Sequence, residues 1–159
     1  MAPITVDHEI SCSLTPQKLF KAFVVDANEL MPKVVPNFFK SFQTIEGDGG
    51  VGSVTLVTFA EGSNIKPAKH KIVEVDEEKH VFKYNLIEGG ILGEDLESVS
   101  YVFKFDKSDD GGCTIKIAST YNPKKEDHDD HGIKEIIEKG KEATKGFIHA
   151  IEAHLHGHA

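Results

Sequence analysis

No stretch of this 159-residue chain comes near 18 consecutive apolar residues, so it holds no candidate helical membrane span. Cysteine is scarce too. Cys12 and Cys113 are the only two, too few for the disulfide framework of a small secreted domain. Read as the native N-terminus, Met1–Glu9 has no basic segment followed by an apolar block, which predicts a protein without a secretory leader. Reduced thiols and no leader predict a cytoplasmic location. Basic residues are in deficit: 18 Lys and Arg stand against 26 Asp and Glu, a net charge of -8. An acidic surface repels phosphate backbones, which argues against non-specific nucleic-acid binding. What is present suits a globular protein, since 39% hydrophobic and 28% charged residues exclude wholesale disorder. The length predicts one domain, residues 1–159. A chain of this size buries about two thirds of its unfolded surface and needs no metal or disulfide staple.

The hydrophobic pattern changes period along the chain. Ile4, Val6, His8, Ile10 and Cys12 alternate with polar residues, the signature of a strand with one covered face. Thr15-Pro16 suits a helix start, with Leu19, Phe20, Phe23 and Val24 as its apolar stripe. Asp26 is placed to cap a second short helix carrying Leu30 and Met31, which Pro32 and Pro36 are expected to end. Six further strands are predicted, over 38–45, 53–59, 66–75, 80–86, 99–105 and 113–121, separated by Gly- and Asp-rich turns that suggest a meander. From Ile133 to Leu155 apolar residues recur at three and four, which predicts an amphipathic helix of about 25 residues. The fold class expected is α+β: seven antiparallel strands gripping a long C-terminal helix, with two short helices at one end. Gly140 and Thr144 interrupt the apolar stripe of that helix. They mark either a hollow or a close approach of backbone or a sheet side chain.

The Gly-rich loop Glu46-Gly47-Asp48-Gly49-Gly50-Val51-Gly52 lacks the Lys of a phosphate-binding loop and leads into alternating residues, not a helix. It reads as a tight connection between strands. This loop, Lys18–Phe23, Met31-Pro32-Lys33, His70-Lys71 and Leu86-Ile87-Glu88-Gly89 occur in the order and spacing of the plant PR-10 family, which contains the major birch pollen allergen. The sequence resembles that family from about residue 2 to 155. The resemblance implies the same helix-grip fold around a large hydrophobic cavity. It also implies a defence- or stress-related cytosolic protein that binds flavonoids, cytokinins, abscisic-acid-like hormones, sterol-like molecules or fatty acids, with no cofactor and no metal.

Inward-facing positions then become cavity candidates: Val6, His8, Phe23, Phe39, Phe59, His70, Phe82, Tyr84, Tyr101, Phe103, Ile115 and Ile117 on the sheet and short helices, and Ile136, Gly140, Ala143 and Thr144 on the long helix. The polar tips among them, His70, Tyr84 and Tyr101, suit a ligand with an apolar body and a few hydroxyl or carbonyl groups. His8 stands where the family usually has Thr. The partner expected is thus a small hydrophobic or amphipathic molecule, bound by a monomer or weak homodimer, with no membrane and no nucleic acid.

Two enzymatic alternatives arise from the resemblance. Ribonuclease activity has been proposed for the family; Glu97 and Glu152 match its two glutamates, but Thr55 replaces a Lys and His154 a Tyr. The related norcoclaurine synthase uses a strand Lys in a Pictet–Spengler condensation. Lys116 lies on the corresponding strand but alternates away from Ile115 and Ile117, so no catalytic residue is assigned. The gate and latch signatures of the abscisic-acid receptor branch are not recognised. His128, His131, His149, His154, His156 and His158 crowd the C-terminal part, where solvated imidazoles are expected rather than a metal site. Cys12 and Cys113 are expected to be inert.

Overall fold

The computed structural model describes residues 3–93, 95–124 and 130–157. Its seven-stranded antiparallel sheet has the order β1-β7-β6-β5-β4-β3-β2. The strands are β1 (Ile4–Cys12), β2 (Phe39–Glu46), β3 (Val54–Phe59), β4 (Ala68–Asp76), β5 (Val81–Glu88), β6 (Leu96–Lys107) and β7 (Cys113–Pro123). Consecutive strands β2 to β7 are neighbours, and β1 closes on β7. The helices are α1 (Pro16–Phe20), α2 (Ala27–Val34) and α3 (Asp130–Gly157). Helix α3 has 28 residues, about 42 Å at 1.5 Å per residue. None of the described helices is long and apolar enough to cross a membrane.

Local chemistry explains most of the boundaries. Thr15 Oγ1 accepts from the Lys18 N–H at 3.3 Å, with Pro16 at the first helical position. A π-helical turn, Lys21–Val25, follows α1 directly. Asp26 begins α2 but does not cap it with its side chain; its carboxylate takes the Lys21 ammonium at 2.8 Å instead. Pro32 lies inside α2 rather than ending it, and the helix closes at Val34, two residues before Pro36. The strand expected from His80 starts at Val81, because His80 takes φ +55° and belongs to the preceding turn.

The Gly-rich loop joins β2 to β3, and its N–H groups are used internally. Gly49 N–H donates to Ser53 Oγ at 2.8 Å, Gly50 N–H to Asp48 Oδ1 at 2.9 Å, and Gly52 N–H to the Ile72 carbonyl at 2.8 Å. Gly47 sits at φ +85° against Ser53, where any side chain would collide with that serine. A loop whose donors are spent this way does not cradle a phosphate.

The register sets inward-facing rows across the sheet. Ile10, Ile115 and Phe105 form one row; His8, Ile117, Phe103 and Phe82 the next; Val6, Ser119, Tyr101 and Tyr84 the third; Ile4, Tyr121, Val99 and Leu86 the fourth. The first row is solid core. Phe105 meets Phe20 of α1 edge-on at 5.4 Å, and Ile115 is 0% exposed. Packing loosens along the following rows, and there the sheet and α3 enclose space.

A two-chambered hollow between sheet and helix

Two adjoining hollows lie between α3 and the sheet. The larger has a cavity volume of about 160 Å³, the smaller about 120 Å³. Val6, His8, Phe59, Tyr101, Ile117, Gly140 and Ala143 line the larger. Phe23 and Phe82 line the smaller, together with Val24, Ala27 and Met31. The π-helical turn carries Phe23 and Val24 to this wall, where an extra backbone residue per turn re-aims side chains. Phe39, His70, Tyr84, Phe103, Thr144 and Phe147 line both and so form the partition.

The partition is aromatic. Phe147 of α3 meets Phe38 and Phe39 at 4.8 Å each, and Phe39 meets Phe42 at 4.9 Å. On the sheet side, the His70 ring stacks on Tyr84 at 4.6 Å, and Tyr84 on its cross-strand neighbour Tyr101 at 4.8 Å. Such offset pairs hold the wall in place by quadrupole complementarity as well as by area.

The polar tips within the hollow are neutral. Burial pushes His70 down to about 4, so its imidazole is uncharged near neutral pH. Burial also raises the Tyr84 and Tyr101 hydroxyls well above the ordinary tyrosine value, with neighbouring tyrosines adding to the shift. These groups offer hydrogen-bond donors and acceptors without charge. Among the described residues, no Asp or Glu lines either chamber.

Sixteen positions were candidates from the sequence, and fourteen face one chamber or the other. Ile115 does not, because its row packs under α1. Ile136 does not either. It is half-buried on the flank of α3, and the stripe facing the hollow runs through Ile137, Gly140, Lys141 and Thr144. Several lining residues went unassigned. Ser119 and Tyr121 continue the alternation of Ile117, so strand period alone signals them. Phe38 precedes β2, Ile65 comes from a loop, Ile91 from the 3-10 turn Gly90–Leu92, and Lys141 is a charged residue in an apolar stripe; no pattern in the sequence marks these.

Gly140 creates space on the helix. Its carbonyl accepts from Thr144 Oγ1 at 2.9 Å, so the Thr hydroxyl is turned back onto the helix and its methyl is left for the hollow.

The residues behind the enzymatic alternatives lie apart. Lys116 is exposed and pairs with Asp106 at 3.4 Å on the outer face. Glu97 stands at the start of β6, whereas Glu152 bonds Ser13, beyond the Cys12–Cys113–Lys107 row at the other end of that strand. Ten residues of strand separate those ends, roughly 30 Å at 3.3 Å per residue. Thr55, at the position of the family's Lys, is buried and lines the smaller chamber.

Among the C-terminal histidines, His156 Nε2 lies 2.7 Å from Ser13 Oγ, and His149 is exposed. His128 and His158 lie outside the described residues, as does the side chain of His131. No group of three or more potential metal ligands converges among the described residues.

The comparisons with known proteins agree with this architecture. The major allergen Pru av 1 of Prunus avium is 40% identical over 163 residues, covering 99% of this chain and 97% of that protein. The crystal structure of Ara h 8.0201 superposes with a TM-score of 0.83 at 34% identity, covering 98% of this chain and 99% of the other. Norcoclaurine synthase from Thalictrum flavum, solved with dopamine and hydroxybenzaldehyde, has a TM-score of 0.75 at 24% identity, over 99% of this chain and 89% of the other; at that identity the likeness is one of fold. The model of the pathogenesis-related protein Bet v 1 family matches residues 1–158. With its sheet, its gripped helix and its relatives all in accord, the chain belongs to the Bet v 1 family.

Proposed function

We propose that residues 1–159 act as one domain that stores or carries a small apolar or amphipathic molecule in the hollow between α3 and the sheet. The observation that carries this reading is the lining: aromatic and aliphatic walls with the neutral tips of His70, Tyr84 and Tyr101 turned among them. The stacking of Tyr84 between His70 and Tyr101 holds the three tips in the wall of the hollow, where they can orient a guest. Flavonoids, cytokinins and abscisic-acid-like hormones have the required mix of rings and few polar groups, and a role in defence or stress accords with the family. A cytoplasmic location accords with two free thiols.

Size sets the mechanism. A cavity of about 150 Å³ admits benzene. Each chamber therefore takes about one ring, and a two- or three-ring ligand must span both. That requires the Phe39–Phe147 partition to part, through rotamer changes and a small shift of α3. Burial then supplies roughly 25 cal/mol per Å² of apolar surface. Micromolar affinity, about -8 kcal/mol, is the scale expected.

Titration with the neutral dye N-phenyl-1-naphthylamine tests the reading. Enhanced, blue-shifted emission that saturates and is displaced by a flavonoid supports it. Absence of dye binding, together with absence of any retained small molecule in native mass spectra, rules it out.

A further inference from the structure

We propose that the seam between β1 and α3 is a carboxylate subsite of the larger chamber, where the acid group of an otherwise apolar ligand sits between the His8 imidazole and the Lys141 ammonium. The inference rests on the cavity reading above and names the class of molecule the cavity selects.

The His8 ring lines the larger chamber, yet both of its ring nitrogens are buried and hydrogen-bonded to nothing. Among the described residues no other buried side-chain nitrogen or oxygen is left this way. Buried polar groups in native proteins are almost always partnered, so an orphan points to an atom that arrives from elsewhere. Among the described residues, Lys141 is the one charged side chain lining either chamber. It shares with His8 both the chamber wall and the outer groove along β1 and α3.

Lys141 has little to hold it. Its Nζ lies 3.6 Å from Glu138 Oε1, one turn back, and the Glu138 side chain is 73% exposed. A loose, solvated pair of this kind is weak and yields to a better anion. The four-carbon stem of the Lys can swing its ammonium from the groove into the chamber. A turn of the His8 ring about χ2, a broad torsion, brings an N–H to the same point. Burial and the nearby ammonium both favour neutral His8, which still has one N–H to give. A carboxylate there accepts from both groups in a dry site, where charge-assisted bonds are strong. No described Asp or Glu lines the chamber itself; the carboxylates nearest the seam are Glu138, paired with Lys141, and Glu9 and Glu142 in the outer groove.

The test uses 11-(dansylamino)undecanoic acid and its methyl ester, which share one fluorescent apolar body and differ in charge. The acid is expected to bind the wild type at least about tenfold more tightly, ~1.4 kcal/mol at 25 °C. His8→Leu and Lys141→Gln should each bring the ratio of acid to ester affinity toward one; both residues line the chamber, so the readout is that ratio within each variant and not either affinity alone. Equal binding of acid and ester by the wild type overturns the subsite and leaves the cavity reading standing. So does selectivity that survives both substitutions, or loss of acid and ester alike in both variants. If neither probe binds the wild type, the cavity reading falls and the subsite falls with it.

Discussion

Gly140 stands beside the Tyr121 hydroxyl in the wall of the larger chamber: a methyl group placed on Gly140 would rest 3.8 Å from that oxygen. This is ordinary van der Waals contact, so the site accepts a methyl group without any shift, and the hollow lies beyond it. Gly140→Ala should therefore raise stability by about 0.5–1 kcal/mol through helix propensity, read by urea unfolding. Gly140→Leu should fill the chamber and weaken N-phenyl-1-naphthylamine binding about tenfold or more. Unchanged dye affinity in the Leu variant would show that the dye sits elsewhere.

Phe147 holds the two chambers apart. Phe147→Ala removes the α3 side of the partition, where Phe38 and Phe39 now pack at 4.8 Å. The side chain is half-buried, so the cost should be about 2–3 kcal/mol, below that of a fully buried Phe. Multi-ring ligands should gain affinity relative to single-ring ones, because the wall no longer has to move. Isothermal titration with a one-ring and a three-ring ligand reads this directly; an unchanged ratio of affinities counts against the partition.

The half-buried His70, whose ring is held in the wall of the hollow, ties stability to pH. Its value falls from 6.5 unfolded to about 4 folded, so the unfolded chain takes up the proton first as the solution is acidified. The folded state is favoured above 6.5, and that advantage drains away as pH falls from 6.5 through 4. The full effect is about 3 kcal/mol. His8, also shifted down by burial, acts in the same direction. His70→Phe keeps a ring on Tyr84 and should flatten the slope of unfolding free energy across this window.

The C-terminal turn of α3 is fastened to the loop after β1. Glu152 Oε2 accepts from the Ser13 backbone N–H at 2.5 Å and from its hydroxyl at 2.8 Å. Both bonds favour the carboxylate and hold Glu152 below the ordinary value of 4.5. This contribution is present above 4.5 and lost as pH falls below it. Glu152→Ala should cost about 1 kcal/mol at neutral pH and less in acid. Chemical denaturation at pH 7 and pH 3 separates the two; an equal cost at both would mean that the charge is irrelevant.

Cys12 and Cys113 stand directly opposite each other on β1 and β7, both reduced and both buried. Burial raises the two thiols to about 11 and about 12, and Cys12 contributes to the rise at Cys113. Thiolate is the reactive form, so both should resist Ellman's reagent in the native protein and react only on unfolding. Rapid reaction of either in the native state would contradict this burial.

Much of the fold was readable because its signals are local. Period-two alternation marked Ile4–Cys12 and Cys113–Tyr121 as strands, and the three-four spacing after Ile133 marked α3. Failures came where local signals compete. Pro32 did not end α2, since packing of Leu30 and Met31 on the core outweighs one missing hydrogen bond. Asp26 was drawn to Lys21 rather than to the helix N-terminus. Ile115 and Ile117 share one face of β7, and alternation could not say that the first lies beneath α1 and the second beneath open space.

Chain order and side-chain period by themselves determined the strands, the long helix and the face each residue presents, because these depend on neighbours within a few positions. Only the tertiary structure decided the depth of each row beneath α3, the aromatic partition built from Phe38, Phe39 and Phe147, and the meeting of His8 with Lys141. Those relationships join residues more than a hundred positions apart, and they follow from how far the helix stands off the curved sheet, a distance set by the packing of the whole.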